Sequence, residues 1–376
     1  MLNRPLTGKL QGGAAHERAI SRNGTTQAAI EIFPPAPDLV LDKKYIRTLA
    51  LAHERAGFDR LLIGYYPTTP EGFQMAAYIA TQTERLGLLL AHQPGFIAPT
   101  LAARALATLD HLSEGRLALH VISGGDDATQ RRDGDTLRKD ERYARTDEYV
   151  GLLRALWHSR APLNHSGRFY SFENAATDVR PYQPGGVPIF FGGASDAAIK
   201  TAGRHADTYA LWGEPYAQVR DIIARVREAA DGRRIGFNLS LRVILGDTER
   251  QAWDKAADIL AKTKVKGGQA WIGPNNGAPA NEGSRRLLAA AAQGERLDKC
   301  LWTGIAAATG ARGNTTALVG TPEQVADGLL DYWKLGVNSF LIRGFDPLPD
   351  AIEYGAKVLP LVREKVALAE RAVARL

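Results

Sequence analysis

The sequence predicts an α/β fold, a single (β/α)8 barrel, on three observations. Short runs that are apolar on both faces alternate with segments whose apolar residues recur at helical spacing. That is the pattern of a parallel sheet covered by helices. The alternation occurs eight times along the chain, and eight units close a barrel. The first run, 27–33, leads into Pro34-Pro35 rather than a Gly-x-Gly-x-x-Gly loop, so the phosphate loop of a dinucleotide-binding sheet is missing.

Residues 1–25 are polar, Gly-bearing and aperiodic, and are expected as a flexible arm ahead of a barrel spanning 26–376. After the first strand, Asp42 opens a helix with Tyr45, Ile46, Leu49, Ala50 and Ala56 on one face and Gly57 at its close. A strand at 58–64, a helix at 72–85 and a strand at 86–92 (LGLLLAH) follow, the last broken by Pro94-Gly95. The helix from Ala98-Pro99 sets Leu101, Ala105, Leu106, Leu109 and Leu112 on one face and ends at Gly115. A strand at 116–122, a polar loop at 123–139 and a helix carrying Tyr143, Tyr149, Leu152 and Leu153 come next. Later strands are expected at 187–191, 207–211, 235–245 and 337–342, with helices from near Ser195, Glu214, Thr248 and Thr321. Thr321-Pro322-Glu323-Gln324 specifies its helix start closely, with Thr as N-cap, Pro at the first helical position and Gln324 to complete a capping box. Residues 265–315, rich in Gly, Asn and Ala, break the rhythm and are expected as a long insertion before the last βα unit, a lid over the catalytic face.

Composition narrows the class. Apolar residues make up 45% and charged residues 23% of 376, the values of an ordinary globular enzyme. No apolar run reaches membrane-spanning length and the N-terminus lacks an apolar leader core, so the expected location is the cytoplasm. The single cysteine, Cys300, excludes an internal disulfide. The net charge of +6 is dispersed, and Arg131-Arg132 and Arg233-Arg234 are too short for a nucleic-acid patch. A basic balance suits a small anionic substrate.

In such a barrel, chemistry sits at the C-terminal ends of the strands. His92 ends an apolar strand and reads either as a satisfied core histidine or as a polar contact to a bound ring. His120, inside its strand, is open to the same two readings. In Phe191-Gly192-Gly193-Ala194-Ser195-Asp196 a strand ends, two glycines permit close backbone approach, and Ser195 starts a helix whose free N–H groups suit a phosphate. Arg242 lies mid-strand among Leu, Val and Ile, where a cation needs a partner or a polar cavity. It suits a sulfonate, phosphate or carboxylate, or an internal ion pair. Trp212 follows a strand and can wall a pocket, and Arg312 belongs to the lid segment. No HExxH, CxxC, Gly-x-Ser-x-Gly or strand-end acid pair occurs, so the hard chemistry is expected from an organic cofactor.

Four stretches then carry a family resemblance: AHQPGFIAPTLAARALATLDHLSEGRLALHVISGG (91–125), DERYARTDEYV (140–150), PIFFGGASDAAIKTAGRHADTYALWGEP (188–215) and TALVGTPEQVADGLLDYWKLGVNSFLIRG (316–344). In this order and spacing they resemble the luciferase-like flavin monooxygenases, most of all the alkanesulfonate monooxygenase branch. The resemblance implies a (β/α)8 barrel, reduced FMN from a separate NAD(P)H:flavin reductase, dioxygen as co-substrate and a homodimer or homotetramer. It implies release of sulfite from an organosulfonate, leaving an aldehyde or ketone. By position, the flavin would lie near His92, His120, Ser123 and Tyr143, its phosphate at Gly193, Ala194 and Ser195, and the sulfonate at Trp212, Arg242 and Arg312. The chain departs from the branch at Thr69, where a cysteine is usual. It also has Ser240-x-Arg242 for an Arg-x-His pair and Phe345-x-Pro347 for a Tyr-x-His pair. The pocket wall is thus rebuilt, and a polar sulfonate such as the sulfosugar sulfoquinovose is one expectation. Relatives also act on sulfones, thioethers and amines, and others are F420-dependent oxidoreductases.

Overall fold

The apolar runs form short parallel strands, and the amphipathic segments between them form helices. The structure, a computed structural model, describes residues 9–12, 41–67, 69–270, 279, 281–311 and 315–373, with the backbone course alone for 9–12 and 264–270. The chain divides into two units, the first from residues 1–61, 210–224 and 236–376, the second from 62–209 and 225–235.

In the first unit the long strand Gly236–Leu245 is flanked in parallel by Ser339–Arg343 and Ala317–Gly320. Side chains alternate along a strand, and residues in register on parallel neighbours share a face. Ser339, Leu341 and Arg343 pair with Asn238, Ser240 and Arg242, so five of these six residues make a polar face. Phe237, Leu239, Leu241, Phe340 and Ile342 make the apolar reverse, all buried. The strand was expected to be apolar on both faces; its alternation of Asn238, Ser240 and Arg242 is that of a sheet with one polar side. The strand Lys9–Gly12 runs parallel to residues 339–342 and meets Arg60 and Leu61. It lies within the segment expected as an arm, and its pairing uses backbone groups that no apolar period announces. The expected first strand, 27–33, lies outside the described residues.

The segment expected as an irregular lid is largely regular where described. The helix Glu249–Ala270 runs into it, and Glu282–Gln293, the antiparallel strands Arg296–Leu297 and Leu301–Trp302, and the helix Gly304–Thr309 follow. Gly and Asn near 267–276 drew the irregular reading. The Asn281 cap, whose side chain accepts Ser284 N–H at 2.7 Å, starts the next helix. Trp302 and Ile305 join Ile244, Ala252, Ala256, Ile259, Ala317, Val319 and Phe345 in one apolar cluster. Burial of each large side chain there contributes about 2 kcal/mol. The capping box at Thr321 and Gln324 forms in both directions.

In the second unit Gly87–His92, Leu117–Val121 and Ile189–Gly192 are parallel and in register, Ala91 with His120 and His120 with Phe190. The helices Gly72–Gln82, Pro99–Leu112, Lys139–His158 and Asp196–His205 accompany them. The helix Pro99–Leu112 buries Ala102, Ala103, Leu106, Ala107, Leu109 and Asp110, while Leu101 and Leu112 are exposed. The face predicted from leucine bulk is therefore rotated toward alanines, which permit closer packing. Asp110 is tolerated because Gln183 donates to it from backbone and side chain at 3.0 and 2.8 Å. A hairpin of Leu163–Ser166 and Ser171–Ala175 was not foreseen. Among the described residues, no helix is long and apolar enough to cross a membrane, and no cluster of three or more His, Cys, Asp or Glu is placed to hold a metal.

Candidate functional site

The second unit brings Tyr143, Gly193 and Ser195 together. The strand Ile189–Gly192 ends in Gly193, whose φ of +136° favours glycine. A Cβ there would stand 2.8 Å from the Ala198 Cβ and 3.0 Å from the Tyr143 hydroxyl, so the backbone is accessible at this point only because no side chain fills it. Ser195 caps the helix Asp196–His205, accepting Ala198 N–H at 3.4 Å. Tyr143 lies beside Ser195, and burial holds its phenol above the ordinary value, so it stands protonated. Tyr209 donates its hydroxyl to the Gly193 carbonyl. Asp196, the acid in the first turn, is drawn to Arg225 at 2.7 Å. A glycine-floored turn at a helix N-terminus, ringed by hydroxyls, fits a phosphate group. Ala194 lies between the two anchoring residues.

The helix Lys139–His158 organises the other expected flavin contacts. Arg142, 1% exposed, donates to the carbonyls of Ser123 and Leu137 at 2.9 and 2.6 Å and pairs with Asp127 at 2.8 Å. Arg145 pairs with the buried Asp135. The polar loop 123–139 is thus tied to one helix. Ser123 shares a hydrogen bond with Thr146 at 2.9 Å. His92 bonds the Tyr149 hydroxyl at 2.8 Å and meets Phe73 edge to face, so its ring is a satisfied core group. His120 does not join it. Its register partners Ala91 and Phe190 put it on the opposite face, with Leu89, Ala118 and Phe190 beneath. Its Nδ1 is buried without a hydrogen-bond partner, as is Oε1 of Gln93. These two atoms are open to a water or to a polar group of a bound molecule.

Burial lowers the pKa of both histidines to about 4. Above the ordinary value of 6.5 they are neutral folded or unfolded. Below it the unfolded chain takes up protons that the folded chain refuses down to about pH 4. Stability present at neutral pH is therefore lost through this window, on the order of 3 kcal/mol for each buried histidine. His92→Gln should flatten its share of that slope in urea titrations between pH 7 and 4, whereas parallel wild-type and variant curves would show that His92 titrates normally.

The first unit holds the expected anion residues. Arg242, 2% exposed, donates from Nη1 to the Gly344 carbonyl at 2.5 Å, and its guanidinium lies 4.8 Å from the Phe345 ring centroid. Trp212 packs with Leu287, Leu288, Ala306 and Ala311. Glu214, just beyond, is gripped by Arg286 at 2.6 Å, and its carbonyl accepts from Tyr332 at 2.7 Å. The helix Glu282–Gln293 is thereby fastened to the strand end that carries Trp212. Arg312 lies outside the described residues; its neighbour Ala311 is fully buried in the Trp212 cluster.

Sequence reasoning missed Arg142, Tyr209 and Arg286. Arg142 was within reach, because Arg142, Thr146 and Tyr149 recur at helical spacing on the buried face of their helix. The others depend on tertiary neighbours.

The family model described as luciferase-like monooxygenase matches residues 21–339. Solved structures with a similar fold include the following three. The riboflavin lyase RcaE, solved with modified FMN and riboflavin, has a TM-score of 0.75 at 20% identity, covering 95% of this chain and 91% of its own. The EDTA monooxygenase EmoA from Chelativorans sp. BNC1 has a TM-score of 0.75 at 20% identity, covering 96% and 94%. DmoA from Hyphomicrobium sulfonivorans has a TM-score of 0.73 at 23% identity, covering 95% and 88%.

Proposed function

Because the chain belongs to the luciferase-like monooxygenase family, we propose that it is an FMNH2-dependent monooxygenase that cleaves the carbon–sulfur bond of an organosulfonate. The fold that goes with this reading is the (β/α)8 barrel expected from the sequence. The observation that carries the substrate half is Arg242, a guanidinium buried to 2% exposure on the polar face of Gly236–Leu245.

Reduced FMN, when bound, activates dioxygen. The protein's own residues bind and position. Gly193, Ala194 and Ser195 would hold the cofactor phosphate, with the Tyr143 hydroxyl beside Gly193. His120 and Gln93 would offer their buried polar atoms to a bound molecule. Arg242 would hold the sulfonate, steadied by the Gly344 carbonyl and the Phe345 ring. Trp212, held by the helix Glu282–Gln293, would exclude water, and Arg312, which lies outside the described residues, would add a further cation. In the overall reaction R–CH2–SO3⁻, O2 and FMNH2 yield R–CHO, HSO3⁻, FMN and water. One oxygen atom enters the carbonyl and the other leaves as water. A separate NAD(P)H:flavin reductase would supply FMNH2, and a homodimer or homotetramer is the assembly this reading carries.

The test is sulfite release. The protein is mixed with a flavin reductase, NADH, FMN and a panel of sulfonates that includes sulfoquinovose. Sulfite from at least one member is expected, and none from any would overturn the substrate assignment.

A further inference from the structure

We propose that Gly283 is a specificity-determining residue: with no side chain there, the Trp212 indole lies back against the helix Glu282–Gln293, and this sets the room left for the organic part of the substrate. The inference rests on the reading of Trp212 as a wall of the substrate pocket and names the residue that fixes where that wall stands.

Glycine at 283 has no conformational cause. Its φ is not positive, and it stands in the first turn of a helix capped by Asn281, although glycine is a poor helix former. The cause is contact. A Cβ at 283 would stand 2.9 Å from Trp212 Cε3 and Cζ3 and 3.4 Å from Cη2. The six-membered edge of the indole therefore rests on bare helix backbone. Trp212 is half-buried, while Leu211, Gly213, Glu214 and Pro215 around it are buried, so it is the residue of this run that stays accessible. The run is also pinned to the strand whose Arg242 would hold the sulfonate. Thr316 donates its hydroxyl to the Gly213 carbonyl at 2.6 Å, and a Cβ at Gly213 would stand 3.0 Å from the Leu241 Cβ and 3.2 Å from the Ser240 carbonyl oxygen.

Added bulk at 283 would move the ring and not the helix. Arg286, one turn on from Gly283, grips Glu214 through Nε at 2.8 and 3.0 Å and through Nη2 at 2.6 Å. Ser284, fully buried, donates its hydroxyl to the Ala311 carbonyl at 2.6 Å. Leu287 packs with Ala306 and Ala311, and Trp212 and Leu288 lie against them. The helix is thus anchored by residues next to Gly283, whereas the far edge of an indole yields by small side-chain rotations. To regain an ordinary carbon–carbon contact the ring must retreat from the helix by about 0.6 Å. A wall moved in this way still admits compact groups and turns longer ones away, and a misfit of one methylene discriminates about tenfold or more.

Alkanesulfonates of graded length (methane-, propane- and octanesulfonate) serve as probes. They are titrated by calorimetry under nitrogen in the presence of reduced FMN, then assayed for sulfite with the reductase-coupled system. In Gly283→Ala the affinity for octanesulfonate is expected to fall about tenfold or more relative to that for methanesulfonate. Trp212→Phe, with a smaller ring, should shift the ratio the other way. It tests the wall by itself if Gly283→Ala does not fold, which far-UV circular dichroism checks. Combining the two changes should return the ratio to within about threefold of wild type, a rescue that a merely structural role for Gly283 does not predict. An unchanged ratio in Gly283→Ala, a loss shared equally by all three sulfonates, or no restoration by Trp212→Phe overturns the proposal. A ratio shifted by Gly283→Ala, without sulfite from any sulfonate, would sink the proposed function and leave Gly283 in its role. Sulfite release with a ratio indifferent to position 283 would do the reverse. No sulfonate binding by wild type overturns both.

Discussion

Arg242→Ala is expected to raise the KM for an organosulfonate by about a hundred- to a thousandfold while leaving the affinity for FMN within twofold of wild type. Loss of one partner of a desolvated charge pair costs about 3–5 kcal/mol, and Arg242 is desolvated in this sense at 2% exposure. Its guanidinium donates to the Gly344 carbonyl and faces the Phe345 ring. The proposed FMN cradle uses other residues, Tyr143 and Gly193 to Ser195, so cofactor affinity should separate from substrate affinity. Steady-state kinetics with the reductase-coupled assay, paired with a flavin titration, reads both. An unchanged KM accompanied by a lower melting temperature would make Arg242 a structural cation.

Gly193→Val should abolish tight FMN binding, with a loss of about thirtyfold or more. Two costs combine. The φ of +136° is strained for any L side chain, at roughly 1–3 kcal/mol. The new Cβ would also lie 2.8 Å from the Ala198 Cβ and 3.0 Å from the Tyr143 hydroxyl. Relief requires the helix start or Tyr143 to move, and either displaces the hydroxyls and N–H groups that would meet the phosphate. Anaerobic titration with FMNH2 measures the effect; wild-type affinity in the variant would place the phosphate elsewhere.

Much of the fold was legible because local signals were strong. The runs at 86–92 and 116–122 are apolar throughout and form Gly87–His92 and Leu117–Val121. Thr321 and Gln324 form their capping box as their spacing requires. The strand Ala317–Gly320 was not foreseen. It has four residues, too few to show a period, and it abuts the Thr321 cap. The strand Lys9–Gly12 and the hairpin Leu163–Ser166 with Ser171–Ala175 offer little apolar surface to betray them. In the helix Pro99–Leu112 the weight given to Leu101 and Leu112 misplaced the buried face, since alanines pack closer.

The site divides in the same way. The Gly193–Ser195 turn was readable because its chemistry is contiguous, and Tyr143 was placed with it through the family motif. His92 and His120 could not be sorted by sequence, because a shift of one residue in a strand turns a side chain to the other face. The structure puts His92 against Tyr149 and His120 beside Phe190 in register. The register of Arg242 with Arg343 is invisible in the sequence, since 101 positions separate them.

Whether reduced FMN and dioxygen are used to break a carbon–sulfur bond is decided by the sulfite assay. Reduced FMN and reduced F420 should be supplied side by side, with each active sulfonate. Sulfite is expected in step with oxygen consumption when FMNH2 is supplied, and none with F420. Turnover with F420 alone, or oxygen consumption that no sulfonate converts into sulfite, would contradict it.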